Sequence, residues 1–198
     1  LPPEGCENAL DLLGSAPSRV VYLSSTGVYG AAAVVDENTP PDWTSPRAQP
    51  RLAAERSVTQ GPWSSLILRP AAIYGPGRGA HESLRRGLYN VGENFVSRIH
   101  VDDLAAHAEA GLLSEVCGAY PVADVEPCTT REMAEFCAQL LGSLPIPVNH
   151  PERITSNRRV DGSAIRRALG ITLTYPSYRV GIPAALGMNP SGIVPADS

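Results

Sequence analysis

Ser24, Ser25 and Thr26 follow directly on Arg19-Val-Val-Tyr-Leu23, an apolar run too short and too β-branched for a helix. Hydroxyls at the end of a buried strand stand where a sheet meets its ligand, so this stretch reads as a strand running into a chemical site. A second cluster is His100 with Asp102 and Asp103. Imidazole titrates near neutrality, which makes it the strongest acid/base candidate of the chain. The competing reading has the ring held at a strand end while Asp102 or Asp103 caps the following helix. A third candidate, Gly75-Pro-Gly-Arg-Gly79, has the composition of a phosphate loop. Such a loop must open a helix, and no convincing one follows, so the segment is read as a turn beside a substrate cleft.

Composition narrows the chemistry. All 16 basic residues are arginine, so any mechanism that needs a lysine is excluded; a GC-rich coding genome accounts for the bias. The net charge of −4 comes without a run of like charge, which argues against a nucleic-acid stripe or a membrane-surface patch. No apolar run approaches the roughly 20 residues that span a bilayer, and the first residues lack a signal-peptide pattern. Cys6, Cys117, Cys128 and Cys137 form no CxxC pair and have no histidine at ligand spacing. They are read as reduced thiols, with no metal site, in a soluble protein of a reducing compartment, cytoplasm or organelle interior.

The elements that must position these groups alternate. Glu7 to Leu13 has helical spacing and stops at Gly14; a strand follows from Arg19 to Ser25. A proline-rich connection, 38–50, leads to a helix from Arg51 to Val58 with Pro50 at its first position. Ser64 to Ile73 is the next strand, Val101 to Leu113 a helix opened by carboxylates, and Ala119 to Asp124 a further strand. Thr129 with Glu132 forms a capping box for a helix from Thr130 to Leu141 that ends at Gly142. Two more helices are expected from Ser163 to Leu169 and from Tyr178 to Leu186, before a tail rich in Pro, Gly and Ser. Strands alternating with helices predict an α/β fold with a parallel sheet covered on both faces.

Three segments in this order, YLSSTGVYG (22–30), LRPAAIYGPGR (68–78) and RIHVDDLA (98–105), resemble the extended and atypical short-chain dehydrogenase/reductases of the NAD-dependent epimerase/dehydratase branch. AYPVADVEPCTTREMAEF (119–136) and SNRRVDGSAIRRALGITLTYPSYRVGI (156–182) extend the resemblance over nearly the whole chain. The resemblance implies a partial Rossmann-like parallel sheet flanked by helices, residues 1–125, a small substrate-type C-terminal subdomain, 126–186, and an extended tail, 187–198. The family's Gly-rich dinucleotide turn has no counterpart, so NAD or NADP is expected only if the preceding half of the architecture exists. A protein partner, or residues outside this sequence, is expected to cover the open sheet edge.

What the family does at its site can be carried over position by position. Its catalytic serine matches Ser25, and Ser24, Ser25, Arg51, Pro70 and Ala72 fall where the cofactor is held. Tyr29, Arg69, Tyr74, Arg78 and His100 fall around the substrate cleft, with Arg69 and Arg78 suited to an anion. Tyr29 and Tyr74 have the alternative of packing beneath the cleft with their hydroxyls bonded. Counting back from Glu55, the family's tyrosine and lysine positions are Arg47 and Arg51. Arginine cannot be deprotonated in a protein, so Arg47 is no substitute for a proton-transferring tyrosine. Pro50 disfavours helical geometry at Gln49, so the two arginines are not expected to share a helical face. Asp36 to Pro40 matches an acidic loop of the family and is read as a loop anchor.

Two function classes follow. In one, the chain is a degenerate dinucleotide-binding protein, non-catalytic, serving as a structural or accessory subunit, with a cofactor-sensing variant of the same idea. In the alternative, it is an active NAD(P)-dependent epimerase, dehydratase or reductase on a nucleotide sugar or similar small molecule.

Overall fold

The computed structural model describes residues 17–142 and 157–188. The helix expected from Glu7 to Leu13, Cys6 and all but the first two residues of the tail lie outside them.

Three parallel strands in the order β1-β3-β7 form the central sheet: β1 (Arg19–Leu23), β3 (Ser64–Pro70) and β7 (Gly118–Val122). Leu66, Ile67 and Leu68 are all fully buried, as near-continuous apolar strands should be when both faces of a sheet are covered. Among the described residues no strand pairs with the outer edge of β1.

Helix α1 (Gln49–Thr59) covers one face, with Ala54 and Val58 packed against Val20 and Tyr22. The other face carries α3 (Val101–Leu112) and α5 (Ser163–Leu169), whose Leu104 and Ile165 join Leu66, Leu68, Ile99 and Val122 in one core. Gly111 lets α3 approach closely, because a Cβ there would stand 2.8 Å from Leu66 Cδ2.

The strand expected from Ser64 to Ile73 is two strands. At Ala71 the chain changes partner: its N–H still bonds Val122 O (2.9 Å), while the next N–H, of Ala72, bonds Ser97 O (3.1 Å). From there β4 (Ala72–Tyr74) runs parallel to β6 (Arg98–His100). Four two-residue strands escaped the sequence reading: β2 (Val34–Val35), which pairs with β9 (Arg159–Val160), and β5 (Phe95–Val96), which pairs antiparallel with β8 (Cys128–Thr129). Helix α2 (Ala80–Arg85) was missed too. It begins directly after Gly79, so the glycine cluster does precede a helix, but Gly75 and Arg78 close on each other through reciprocal backbone bonds (3.0 and 3.1 Å) as a tight turn.

Helix α4 (Thr130–Leu141) buries Thr130, Met133, Ala134 and Cys137, the 3.6-residue stripe of an amphipathic helix. Thr129 and Glu132 form the expected capping box and Gly142 ends the helix in the left-handed conformation. With α2 and α6 (Tyr178–Ala185), α4 encloses a second core around Tyr74, Leu84, Tyr178 and Ile182. Asp36 anchors its loop as expected, accepting from Asn38 N (3.0 Å) and Thr39 Oγ1 (2.8 Å). No helix among the described residues is long and apolar enough to cross a membrane.

Candidate active site

A cavity of about 750 Å3 opens beyond the carboxyl ends of β1 and β3. This is where open parallel sheets place their ligands. Ser25, Thr26 and Gly27 form one wall, Ala71 and Ala72 the floor, and Tyr89, Asn90 and Asn94 the far side.

Ser25 sits in extended backbone two residues past β1, and its Oγ accepts the Gly27 N–H (3.1 Å), capping a 3-10 turn over Thr26–Tyr29. Gly30, at φ 56°, ends that turn; a side chain there would collide with Asp42. Asp42 in turn organises the approach to α1. Its Oδ1 accepts from Thr44 Oγ1 (2.6 Å), Thr44 N (3.0 Å) and Ser45 N (3.2 Å), bonds that hold its carboxyl below the ordinary aspartate range.

Arg47 and Arg51 both line the cavity, although they do not share one helix: Arg47 stands in the turn before α1 and Arg51 in the first turn of α1. The Ser45 carbonyl accepts from Ala48 N (3.0 Å) and Gln49 N (3.1 Å), so the chain already turns helically before α1 begins. Pro50 falls in the first turn of α1, where a missing N–H costs nothing because that donor has no intrahelical partner anyway. Neither guanidinium has a hydrogen bond or ion pair among the described residues.

Arg158, which sequence reasoning did not single out, is buried at the cavity wall. Its Nε donates to Ala32 O (2.9 Å), and its two terminal nitrogens donate to Thr26 O and Gly30 O. One side chain from the C-terminal segment thereby ties down the turn that follows Ser25. Burial lowers its pKa, and its bonded partners are carbonyls, with no carboxylate among them. No local signal marks such a residue, because its three acceptors lie more than a hundred positions away.

Ser25, Arg51 and Ala72 therefore meet at one cavity, and the other predicted residues do not line it. Ser24 Oγ is buried with no hydrogen-bond partner among the described residues, and Pro70 ends β3 opposite Val122. Arg69, expected to hold an anion, is instead buried and paired bidentately with Glu55 of α1 (3.0 and 2.7 Å). Its third bond, Nη1 to Tyr29 OH (3.1 Å), fixes Tyr29 as a packing residue, whose phenol burial pushes to higher pKa. Tyr74 is likewise packed, donating to Ser177 O (3.3 Å). Arg78 is exposed in its turn.

His100 is the N-cap of α3: its Nδ1 accepts the Asp102 N–H (3.2 Å), so the cap is the histidine and not Asp102 or Asp103. The ring lies between Tyr175 (3.8 Å between centroids) and Tyr74 (5.2 Å), and burial lowers its pKa, which keeps it neutral. Asp103 serves the loop before α6, accepting from Thr174 N (2.8 Å) and Tyr175 N (2.9 Å). None of the three lines the cavity.

Residues 4–108 match the model of the NAD dependent epimerase/dehydratase family. The chain belongs to this family. A 3-diazoavenalumate denitrifying reductase of a Streptomyces species is 29% identical over 211 residues, 90% of this chain and 69% of that protein. A conserved protein of unknown function from Silicibacter pomeroyi DSS is 33% identical and superposes with a TM-score of 0.77 over 93% of this chain and 71% of its own. The Bordetella bronchiseptica enzyme WbmG, in complex with NAD, shares the fold at TM-score 0.76 and 18% identity, over 93% of this chain and 62% of its own. The epimerase/dehydratase chain thus spans 62% to 71% of the length of these three proteins.

Proposed function

We propose that this protein is a nicotinamide-dinucleotide-dependent reductase, working in the direction of reduction rather than alcohol oxidation. The observation that carries the reading is the convergence of Ser25, Arg47 and Arg51 on one cavity at the carboxyl end of the sheet. Loss of the tyrosine and lysine is the support for a non-catalytic accessory role; a dismantled site, however, would have no need to keep these three side chains together.

The direction follows from acid/base chemistry. Oxidising a hydroxyl, the opening step of an epimerase or dehydratase cycle, requires a group that takes up the hydroxyl proton. Arginine stays charged and cannot do so. Reducing an electron-poor conjugated double bond instead places negative charge on the acceptor, and guanidinium and serine hydroxyl groups lining the same cavity can stabilise such charge. The open cavity admits the water that supplies the final proton. That a 29% identical relative is named a reductase agrees with this direction.

The donor set present fits one end of a dinucleotide. Arg51 and Ser25 offer a guanidinium and a hydroxyl to a ribose and a carboxamide, while the described residues contain no glycine-rich turn for the pyrophosphate. A bound cofactor would supply the hydride, Ser25 would orient the acceptor oxygen, and the positive field of the cavity's arginines would favour the charge that develops on it.

Assays of the complete natural protein with conjugated acceptors, whose reduction is not the reverse of an alcohol oxidation, are expected to consume NADH or NADPH. Sugar-nucleotide alcohols are expected to leave NAD and NADP unreduced. Ser25→Ala is expected to lower kcat by a factor on the order of 100, with partial recovery in Ser25→Thr. Reduction of NAD or NADP by an alcohol, or wild-type kcat in Ser25→Ala, would overturn the reading.

A further inference from the structure

The cavity holds more positive charge than it neutralises. Arg47, Arg51 and Arg158 line it, against a single carboxylate, that of Asp42. Asp42 is already engaged by Thr44 and Ser45, and Arg158 bonds only to backbone carbonyls. Arg47 and Arg51 have no partner of either kind among the described residues. Four other arginines do pair with acids: Arg69 with Glu55, Arg85 with Glu82, Arg131 with Glu93 and Arg179 with Glu126.

Resting on the reductase reading, which leaves the substrate open, we infer that the substrate itself carries an oxyanion, a carboxylate or a phosphate, and that Arg47 is the residue that selects it. A guanidinium presents its N–H donors as a planar fork that matches the paired oxygens of either group, which neither a tyrosine nor a lysine does. With Arg51 four residues on and directed to the cofactor, Arg47 is the uncommitted fork of the cavity. Three guanidinium charges against one carboxylate leave the cavity positive, so an anionic substrate is drawn in by its field and reduces that excess, whereas a neutral one does neither. The arginine that removed proton transfer from the tyrosine position thereby supplies charge recognition there.

Binding of benzoate and of inorganic phosphate to the complete natural protein without cofactor, measured by calorimetry beside neutral benzyl alcohol, tests this apart from turnover. Arg47 is exposed and unpaired, so its substitution should leave the melting temperature unchanged. Benzoate or phosphate is expected to bind, to lose affinity about tenfold in Arg47→Ala and less in Arg47→Lys, and to weaken with salt, since an exposed charge is screened. Which of the two binds more tightly assigns the head group. NADH and NADPH titrated into Arg47→Ala should retain wild-type affinity; a parallel loss would mean that the cofactor's own phosphates are what Arg47 holds, and would overturn the inference. So would oxyanion affinity unchanged in Arg47→Ala, or benzyl alcohol binding as tightly as benzoate. Oxyanion binding through Arg47 in a protein that consumes no cofactor would sustain the inference and sink the reductase reading alone.

Discussion

Glu55→Ala is expected to destabilise the protein by about 3–5 kcal/mol, because it leaves the Arg69 guanidinium buried beside an empty space. Both partners are nearly inaccessible, Arg69 at 7% and Glu55 at 5% exposure, and the pair is bidentate at 3.0 and 2.7 Å. Burial pulls the Arg69 pKa down, yet its bonds to Glu55 and Tyr29 outweigh that pull and raise it, so the charge persists at any working pH. The pair joins α1, which carries Arg51, to β3, so it also sets where the cavity's arginine stands. Urea unfolding of three proteins separates the contributions: wild type, Glu55→Ala, and Glu55→Leu combined with Arg69→Met. The apolar double variant should recover most of the loss, since the penalty lies in an unpaired charge and not in missing attraction. A loss below about 1 kcal/mol in Glu55→Ala, the size typical of a surface pair, would contradict a buried bridge.

The second large effect is one of pH. Asp124 is 2% exposed, and among the described residues no side chain donates to either carboxylate oxygen. Burial pushes its pKa up from 3.8 to about 7, opposed by Arg98, by the backbone N–H of Glu126 and by Arg166. The folded state therefore holds this proton more tightly than the unfolded chain does. Below the unfolded pKa the residue is neutral in both states and has no effect on stability; between 3.8 and about 7 stability falls as pH rises, and above that the whole penalty applies. At 1.36 kcal/mol per pKa unit the penalty amounts to about 4 kcal/mol. Thermal unfolding should show Asp124→Asn more stable than wild type at about pH 8.5 and nearly equal to it at about pH 4. Parallel pH profiles for the two proteins would show that the carboxyl titrates normally.

Much of the scaffold was legible because its signals are local. The capping box of Thr129 and Glu132, the stops at Gly142 and Gly170, and the apolar runs of β1 and β3 each depend on residues within one turn or one strand. The strands β2, β5, β8 and β9 have two residues apiece, too few to show a period, and their pairing crosses as many as 125 positions. At the site, Ser25, Arg51 and Ala72 were reached by resemblance to a motif. That same resemblance misplaced Arg69 and Tyr29, because a motif gives a position along the strand and not which residue of the opposite helix awaits it. Glu55 was the missing term. Arg47 was set aside because a guanidinium cannot take up a proton, and no local signal told that the Ser45 carbonyl starts a helical turn before α1 and that Arg47 lines the cavity with Arg51.

Titration of NADH and NADPH into the complete natural protein, followed by the fluorescence of the reduced nicotinamide, tests the central claim most directly. Saturable binding is predicted for at least one of them, weakened about tenfold or more in Arg51→Ala through loss of a charged hydrogen-bond donor. Binding that ignores the Arg51 substitution, or no saturable binding of either dinucleotide, would contradict a cofactor-dependent site in this cavity.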